Sequence, residues 1–270
     1  MTRPGLRGPA AALLALALAA CGPSPEEAPP TPTPIAFEGA GAAAAAAKLA
    51  HGERLTWVLG CRGCHGDRLE GESFYEVHAS NLTRDIHRYD RSEFDRVLRE
   101  GIRKGPTLWA MPSDIFQHLS EADVDALYAY LATLAPLGAP TPPPGPPTAA
   151  MKKAIAEGKA KPIPDYVRLA RNQAPADLGP GHALGRYIAM TTCAECHGPK
   201  LDGGHTPDLI VAGTYSRDEF ERLITQGVPT GGRTLKPMMA GVARQRFAKL
   251  TRGERDALYA YLKARAEKSS

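Results

Sequence analysis

The sequence predicts an all-α fold in two tandem copies, on three observations. Long stretches recur in the same order. Ser92-Glu93-Phe94-Asp95-Arg96-Val97-Leu98-Arg99-Glu100-Gly101 has a counterpart in residues 217–227, and Asp125 to Leu131 returns unchanged as Asp256 to Leu262. Apolar residues fall at helical spacing in the last element of each copy, with Leu127, Tyr130, Leu131 and Leu134 in the first. Ser120 and Thr251 stand where N-caps belong, with Asp123 and Glu254 three residues on as box-like partners. No run of residues alternates with the period of two that a strand requires.

Taken in order, the chain opens with residues 1–20, read as an export signal. Arg3 and Arg7 form a basic start, and Ala10 to Ala20 is an apolar stretch of Ala and Leu, too short to span a bilayer and suited to a signal-peptide core. It ends in Leu18-Ala19-Ala20-Cys21, which resembles a bacterial lipobox. Cys21 is therefore the expected lipidated first residue of the mature chain, and two or more acyl chains would anchor it stably. Ordinary cleavage near Ala20 is the alternative. Residues 21–41, rich in Pro, Ala and Glu, read as a tether. The first repeat is placed at 42–136 and the second at 178–267. Between them, 137–177 opens as a Pro-rich linker, with a short helix expected over 151–160 and stopped by Pro162 and Pro164.

Each repeat carries one Cys-X-X-Cys-His: Cys61-Arg62-Gly63-Cys64-His65 and Cys193-Ala194-Glu195-Cys196-His197. That pentapeptide is the attachment site of c-type haem. Two thiols three positions apart add to the two haem vinyl groups as thioethers, and the adjacent His is held under the iron as its proximal ligand. The expected cofactors are thus two covalent haem c groups. A thioredoxin-like pair needs neither the His nor a second copy, and a four-thiolate zinc site needs its Cys pairs close in sequence. The chain has five cysteines, so with Cys21 set aside none is left for a disulfide.

With these motifs, the Phe94 and Phe220 helices and the repeated Tyr-X-Tyr-Leu helices, the chain resembles the tandem di-haem form of the class I cytochrome c family, over roughly 45–136 and 179–266. The resemblance implies two all-α domains, each a few short helices wrapped around a covalent haem. It implies a close crossing of first and last helices at a Gly–aromatic contact, with Gly52 facing Tyr128 or Tyr130 and Gly185 facing Tyr259 or Tyr261. It also implies an axial Met in the loop before the last helix. In the first repeat that is Met111, followed by Pro112. In the second it is Met239, with Met238 the alternative; Met190 stands too close to its own motif. His78, His87, His118 and His205 are rival ligands, but they do not occupy matching positions. Arg103 and Arg233 precede the two Met loops and are candidates to pair with haem propionates.

Met ligation closes an iron for electron transfer, whereas an open site permits ligand or peroxide chemistry. The expected function is therefore periplasmic-side electron transfer between a donor (a dehydrogenase or another cytochrome) and an acceptor (an oxidase or reductase). Catalysis and a small-molecule substrate are not expected; a di-haem peroxidase with one open site is the alternative. The whole chain is net +4. Residues 42–137 hold 11 basic and 14 acidic side chains, net −3, and residues 178–270 hold 14 and 9, net +5. Opposite fields would steer transient encounters with different redox partners, in solution or within a larger complex. The basic charge comes without a nucleic-acid-binding signature.

Overall fold

A computed structural model describes Met1 and residues 34–74, 77–146 and 148–268. The expected signal peptide and the lipidation site Cys21 lie outside the described residues. In the first repeat, α1 (Ala45–Val58) leads through Gly60 into the short turn α2 (Cys61–His65). Then come α3 (Leu82–Asp85), α4 (Arg91–Asp95), α5 (Ser113–Phe116) and α6 (Glu121–Ala132). A full capping box between Asp90 and Glu93 starts α4, which runs on as a π turn, Arg96–Glu100, and stops at Gly101 in the left-handed conformation. One element departs from the all-helical expectation. Glu72–Phe74 (β1) and Val77–Ala79 (β2) pair antiparallel, with Ser73 opposite His78.

The connection holds two helices, α7 (Ala149–Ala156) and α8 (Ile163–Ala170). Pro164 lies in the first turn of α8, where its missing N–H costs nothing, so it starts a helix as well as following one. The connection is pinned to the first repeat. Asn81 donates to the Leu137 and Ala139 carbonyls, both at 2.7 Å, and the Thr141 hydroxyl donates to Asp85 at 2.9 Å. Further on, the Ile163 amide donates to the Leu108 carbonyl at 3.0 Å, so α8 straps the loop that holds Met111.

The second repeat repeats the order. It runs α9 (Ala183–Ile188), a π turn at Ala189–Cys193, α10 (Ala194–His197), α11 (Arg217–Gln226), α12 (Pro237–Gln245) and α13 (Arg252–Lys268). The extra residues of this repeat's Met loop build α12, where the first repeat has the single turn α5. Both copies cross their first and last helices at the expected glycine. A Cβ on Gly52 would overlap the Ala126 carbonyl oxygen and press on Tyr130, and one on Gly185 would overlap that of Ala257 and press on Tyr261. The facing aromatics are thus Tyr130 and Tyr261. Tyr128 and Tyr259 lie elsewhere. They pack on Phe94 (5.5 Å) and Phe220 (5.2 Å), and their hydroxyls donate to the Tyr89 and Tyr215 carbonyls.

From Pro34 onward the chain is one compact unit. A shared apolar core joins Leu55, Val58, Phe116 and Leu127 of the first repeat to Tyr187, Ile188, Phe247 and Leu258 of the second. Phe37, from the stretch read as tether, is buried here with its ring edge-on to Tyr187 at 5.3 Å. The compact region therefore starts before residue 42.

Candidate functional site

The first pentapeptide forms a single helical turn, and the second one from Ala194 with Cys193 ending the π turn before it, so that each pair of thiols and its adjacent His can face one group together. The turn after each His is built alike. Leu69 and Leu201 take the left-handed conformation (φ 61° and 63°) and are fully buried, while Gly71 and Gly203 donate back to the His65 and His197 carbonyls at 2.9 Å. A branched residue held at positive φ is strained, and such strain persists where the surroundings fix it at a working site.

The two imidazoles are oriented by matching bonds. His65 Nδ1 lies 2.7 Å from the Ser80 carbonyl oxygen, and His197 Nδ1 lies 2.8 Å from that of Pro207. A carbonyl can only accept, so the proton sits on Nδ1 and the Nε2 lone pair is left to ligate a metal. Burial pushes the His65 pKa below its ordinary value, against the Ser80 bond, which raises it; the ring is neutral at physiological pH. The carbonyl acceptor is fifteen residues past His65 but ten past His197, and the hairpin β1–β2 occupies the longer loop.

Burial raises all four motif thiols, pushing Cys61 and Cys193 up to about 11. All four are free thiols, and among the described residues no three His, Cys, Asp or Glu side chains converge on a point that could hold a metal ion. This donor set fits a covalently attached haem in each repeat: paired protonated thiols and an imidazole with its Nε2 available.

The Met candidates separate by environment. Met111 and Met239 are partly buried against the core, whereas Met238 is 63 % exposed. Met190 also packs on the core, but from the π turn that leads into Cys193. Arg103 and Arg233 stand beside equivalent tyrosines. Arg233 lies over the Tyr215 ring at 5.8 Å, and the charge of Arg103 acts on Tyr89, whose hydroxyl is raised chiefly by burial. Arg103 also donates to the Pro106 carbonyl at 2.6 Å. His87 is occupied by the Leu134 carbonyl at 2.9 Å, and His78 lies against Ser73 at 3.1 Å.

Sequence reading missed how near the two pentapeptides lie to each other. Arg246, from the turn after α12, donates through Nε to the Val58 carbonyl just before the first motif (3.2 Å) and through a terminal nitrogen to Glu195 inside the second (2.8 Å). Also missed was a buried polar chain between the repeats. Tyr187 donates to Asp123 at 2.6 Å, His51 Nε2 to the same carboxylate at 2.8 Å, and Arg54 to Glu254 at 2.7 and 3.0 Å.

Comparison with known proteins matches each repeat separately. Residues 182–266 match the family model for cytochrome c, and residues 47–131 match that for the cbb3-type cytochrome c oxidase subunit III. Each repeat is thus matched as a cytochrome c domain. Similar proteins include the fructose dehydrogenase cytochrome subunit of Gluconobacter japonicus, 31% identical over 111 residues, or 35% of this chain and 23% of that protein. The quinone alcohol dehydrogenase cytochrome c subunit of Gluconacetobacter polyoxogenes is 38% identical over 86 residues, 26% of this chain and 18% of that protein. A nicotinate dehydrogenase subunit of Pseudomonas putida is 32% identical over 106 residues, 34% of this chain and 9% of that protein. The matched region spans less than a quarter of the length of each of these relatives.

Proposed function

We propose, from two repeats each matched as a cytochrome c domain, that this protein is a di-haem electron carrier. Cys61 and Cys64 would hold one haem with His65 and Met111 as iron ligands, and Cys193 and Cys196 the other with His197 and Met239. The observation that carries this reading is the twofold occurrence of one arrangement: a helical Cys-X-X-Cys-His turn whose imidazole is fixed through Nδ1 by a backbone carbonyl. When bound, each haem iron supplies a one-electron ferrous–ferric couple.

The chain's own residues do the rest. The Ser80 and Pro207 carbonyls hold the imidazoles in one orientation and raise their basicity as ligands. Packing of Met111 and Met239 against the core would limit movement of each thioether between the two oxidation states. Arg103 and Arg233 would pair with the haem propionates.

The relatives are cytochrome subunits or other subunits of dehydrogenases, which supports a dehydrogenase-type donor or a place in such a complex, with an oxidase or reductase as acceptor. Export by residues 1–20 and lipid anchoring through Cys21 would place both haems on the periplasmic side.

Optical spectra of the purified protein test this reading. Two c-type haems per chain are expected. The oxidised sample should show the weak long-wavelength Met-to-iron band at the intensity for two haems, unchanged by peroxide or carbon monoxide. Half that intensity, with one haem binding added ligand, would favour the peroxidase alternative.

A further inference from the structure

The repeats are alike in most of what surrounds their haem motifs, but one charged side chain breaks the likeness. Counting back from the N-caps Ser120 and Thr251, Phe116 corresponds to Phe247, and the residue before it is Ile115 in the first repeat and Arg246 in the second. Ile115 is buried in the core. Arg246 is largely buried too, with its side chain only 13 % exposed, yet it carries a full charge. Burying a cation is costly unless it is paired.

Its surroundings belong to both motifs. Gly60, the residue before Cys61, is in the left-handed conformation, and a Cβ there would come within 2.7 Å of the Arg246 guanidinium carbon. Val58, two residues earlier, takes the Nε bond, and Glu195, between Cys193 and Cys196, takes a terminal one. The other terminal nitrogen is buried and has no hydrogen-bond partner among the described residues. The guanidinium is therefore wedged between the two pentapeptides, paired with Glu195 and with one donor nitrogen unbonded among the described residues.

We propose that Arg246 is an electrostatic element shared by both metal centres, raising the reduction potential of both haems, with Glu195 acting in opposition. The proposal rests on the di-haem reading. A ferric centre carries one more positive charge than a ferrous one. A fixed cation beside both therefore disfavours oxidation of each, and a carboxylate favours it. In a partly dry seam such a charge is weakly screened. Arg246 acts through space and need not touch either haem.

The test is a redox titration of the full-length holoprotein, after haem content has been counted by pyridine haemochrome absorbance. With two haems bound, Arg246→Gln should lower both midpoints, so that at fixed solution potential the ferrous-to-ferric ratio of each haem falls about three- to tenfold, tenfold being 59 mV for one electron. Arg246→Lys should restore most of the shift, because it keeps the charge while losing the fork of hydrogen bonds. Glu195→Gln should move at least one midpoint upward. A shift in one haem alone, no shift in either, or an equal shift in the Lys variant would overturn the proposal. A haem count other than two would overturn the di-haem reading, and this proposal with it.

Discussion

Arg54 and Tyr187 occupy the same place in the two repeats, two residues past the crossing glycine, and each reaches the buried carboxylate that opens the other repeat's last helix. Arg54 pairs with Glu254 and Tyr187 with Asp123, so the repeats grip one another through an approximately two-fold contact within one chain. Both carboxylates lie in the first turn of a long helix, where the helix dipole favours negative charge. His51 links the two halves. It donates from Nε2 to Asp123 and accepts at Nδ1 from Arg54 at 3.3 Å. Phe37 and Glu38 close the seam by donating their amides to Asp123 and Glu254.

The two halves of this grip should differ in strength. Arg54→Ala leaves Glu254, which is fully buried, as an uncompensated charge, at an expected cost of about 3–5 kcal/mol. Tyr187→Phe removes one of several donors to Asp123, with Ser120, His51 and the Phe37 amide remaining, and should cost about 1–3 kcal/mol. Denaturant unfolding of the holoprotein measures both. Because the residues share one chain of bonds through His51, the double variant should depart from additivity. Equal, additive losses would show that the chain is not coupled.

The helix crossings give a second expectation. Gly52→Ala and Gly185→Ala each drive a methyl group into a backbone carbonyl of the last helix, and backbone cannot swing aside as a side chain can. Each should destabilise its repeat by at least the roughly 1–3 kcal/mol typical of overpacking. At Gly41, where a Cβ meets nothing, the same change should be tolerated. Thermal unfolding monitored by circular dichroism separates the three.

The sequence made the repeat, both His–Cys turns and the crossing glycines legible because each depends on local spacing: three residues between thiols, a glycine under an aromatic, a cap three residues before an acid. It did not make the seam legible. Asp123 and Glu254 read as ordinary N3 cap partners, and their burial depends on Arg54 and Tyr187, which lie far away in sequence. Phe37 lay within a composition typical of a tether, and only the groove between the repeats gives it a place. The hairpin β1–β2 is too short for a period-two pattern to register. Nothing near Arg246 in sequence marks Gly60 as its neighbour.

Acid stability should depend on the start of α11. Glu219 is held down to about 2, first by the Thr230 hydroxyl and then by the Ser216 amide and hydroxyl of its capping box. Its folded pKa lies below the ordinary carboxylate value of 4.5, so the folded state holds the proton less tightly than the unfolded one. The stabilisation is fully present above pH 4.5 and is lost as the pH falls toward 2. Glu221, raised by burial but lowered further by Arg217 and Arg255, acts in the same direction. Urea midpoints measured across that window should fall with pH, and Glu219→Gln should flatten part of the slope. A slope unchanged in that variant would remove Glu219 as its source.

The choice of axial ligand in the second repeat gives the last expectation. Met238 and Met239 are adjacent in the first turn of α12, and a helix turns about 100° per residue, so the two side chains leave in different directions. Met239 packs on the core, and Met238 is 63 % exposed. A thioether that packs on the core is already held in place, whereas an exposed one must lose side-chain freedom before it can bind an iron. Met239→Leu should therefore halve the long-wavelength Met-to-iron absorption and open one haem to carbon monoxide. Met238→Leu should leave the spectrum and both midpoints unchanged, and Met111→Leu should remove the other half. If Met238→Leu produced the loss instead, α12 would have to unwind by a residue on haem attachment, and the ligand would be reassigned to Met238.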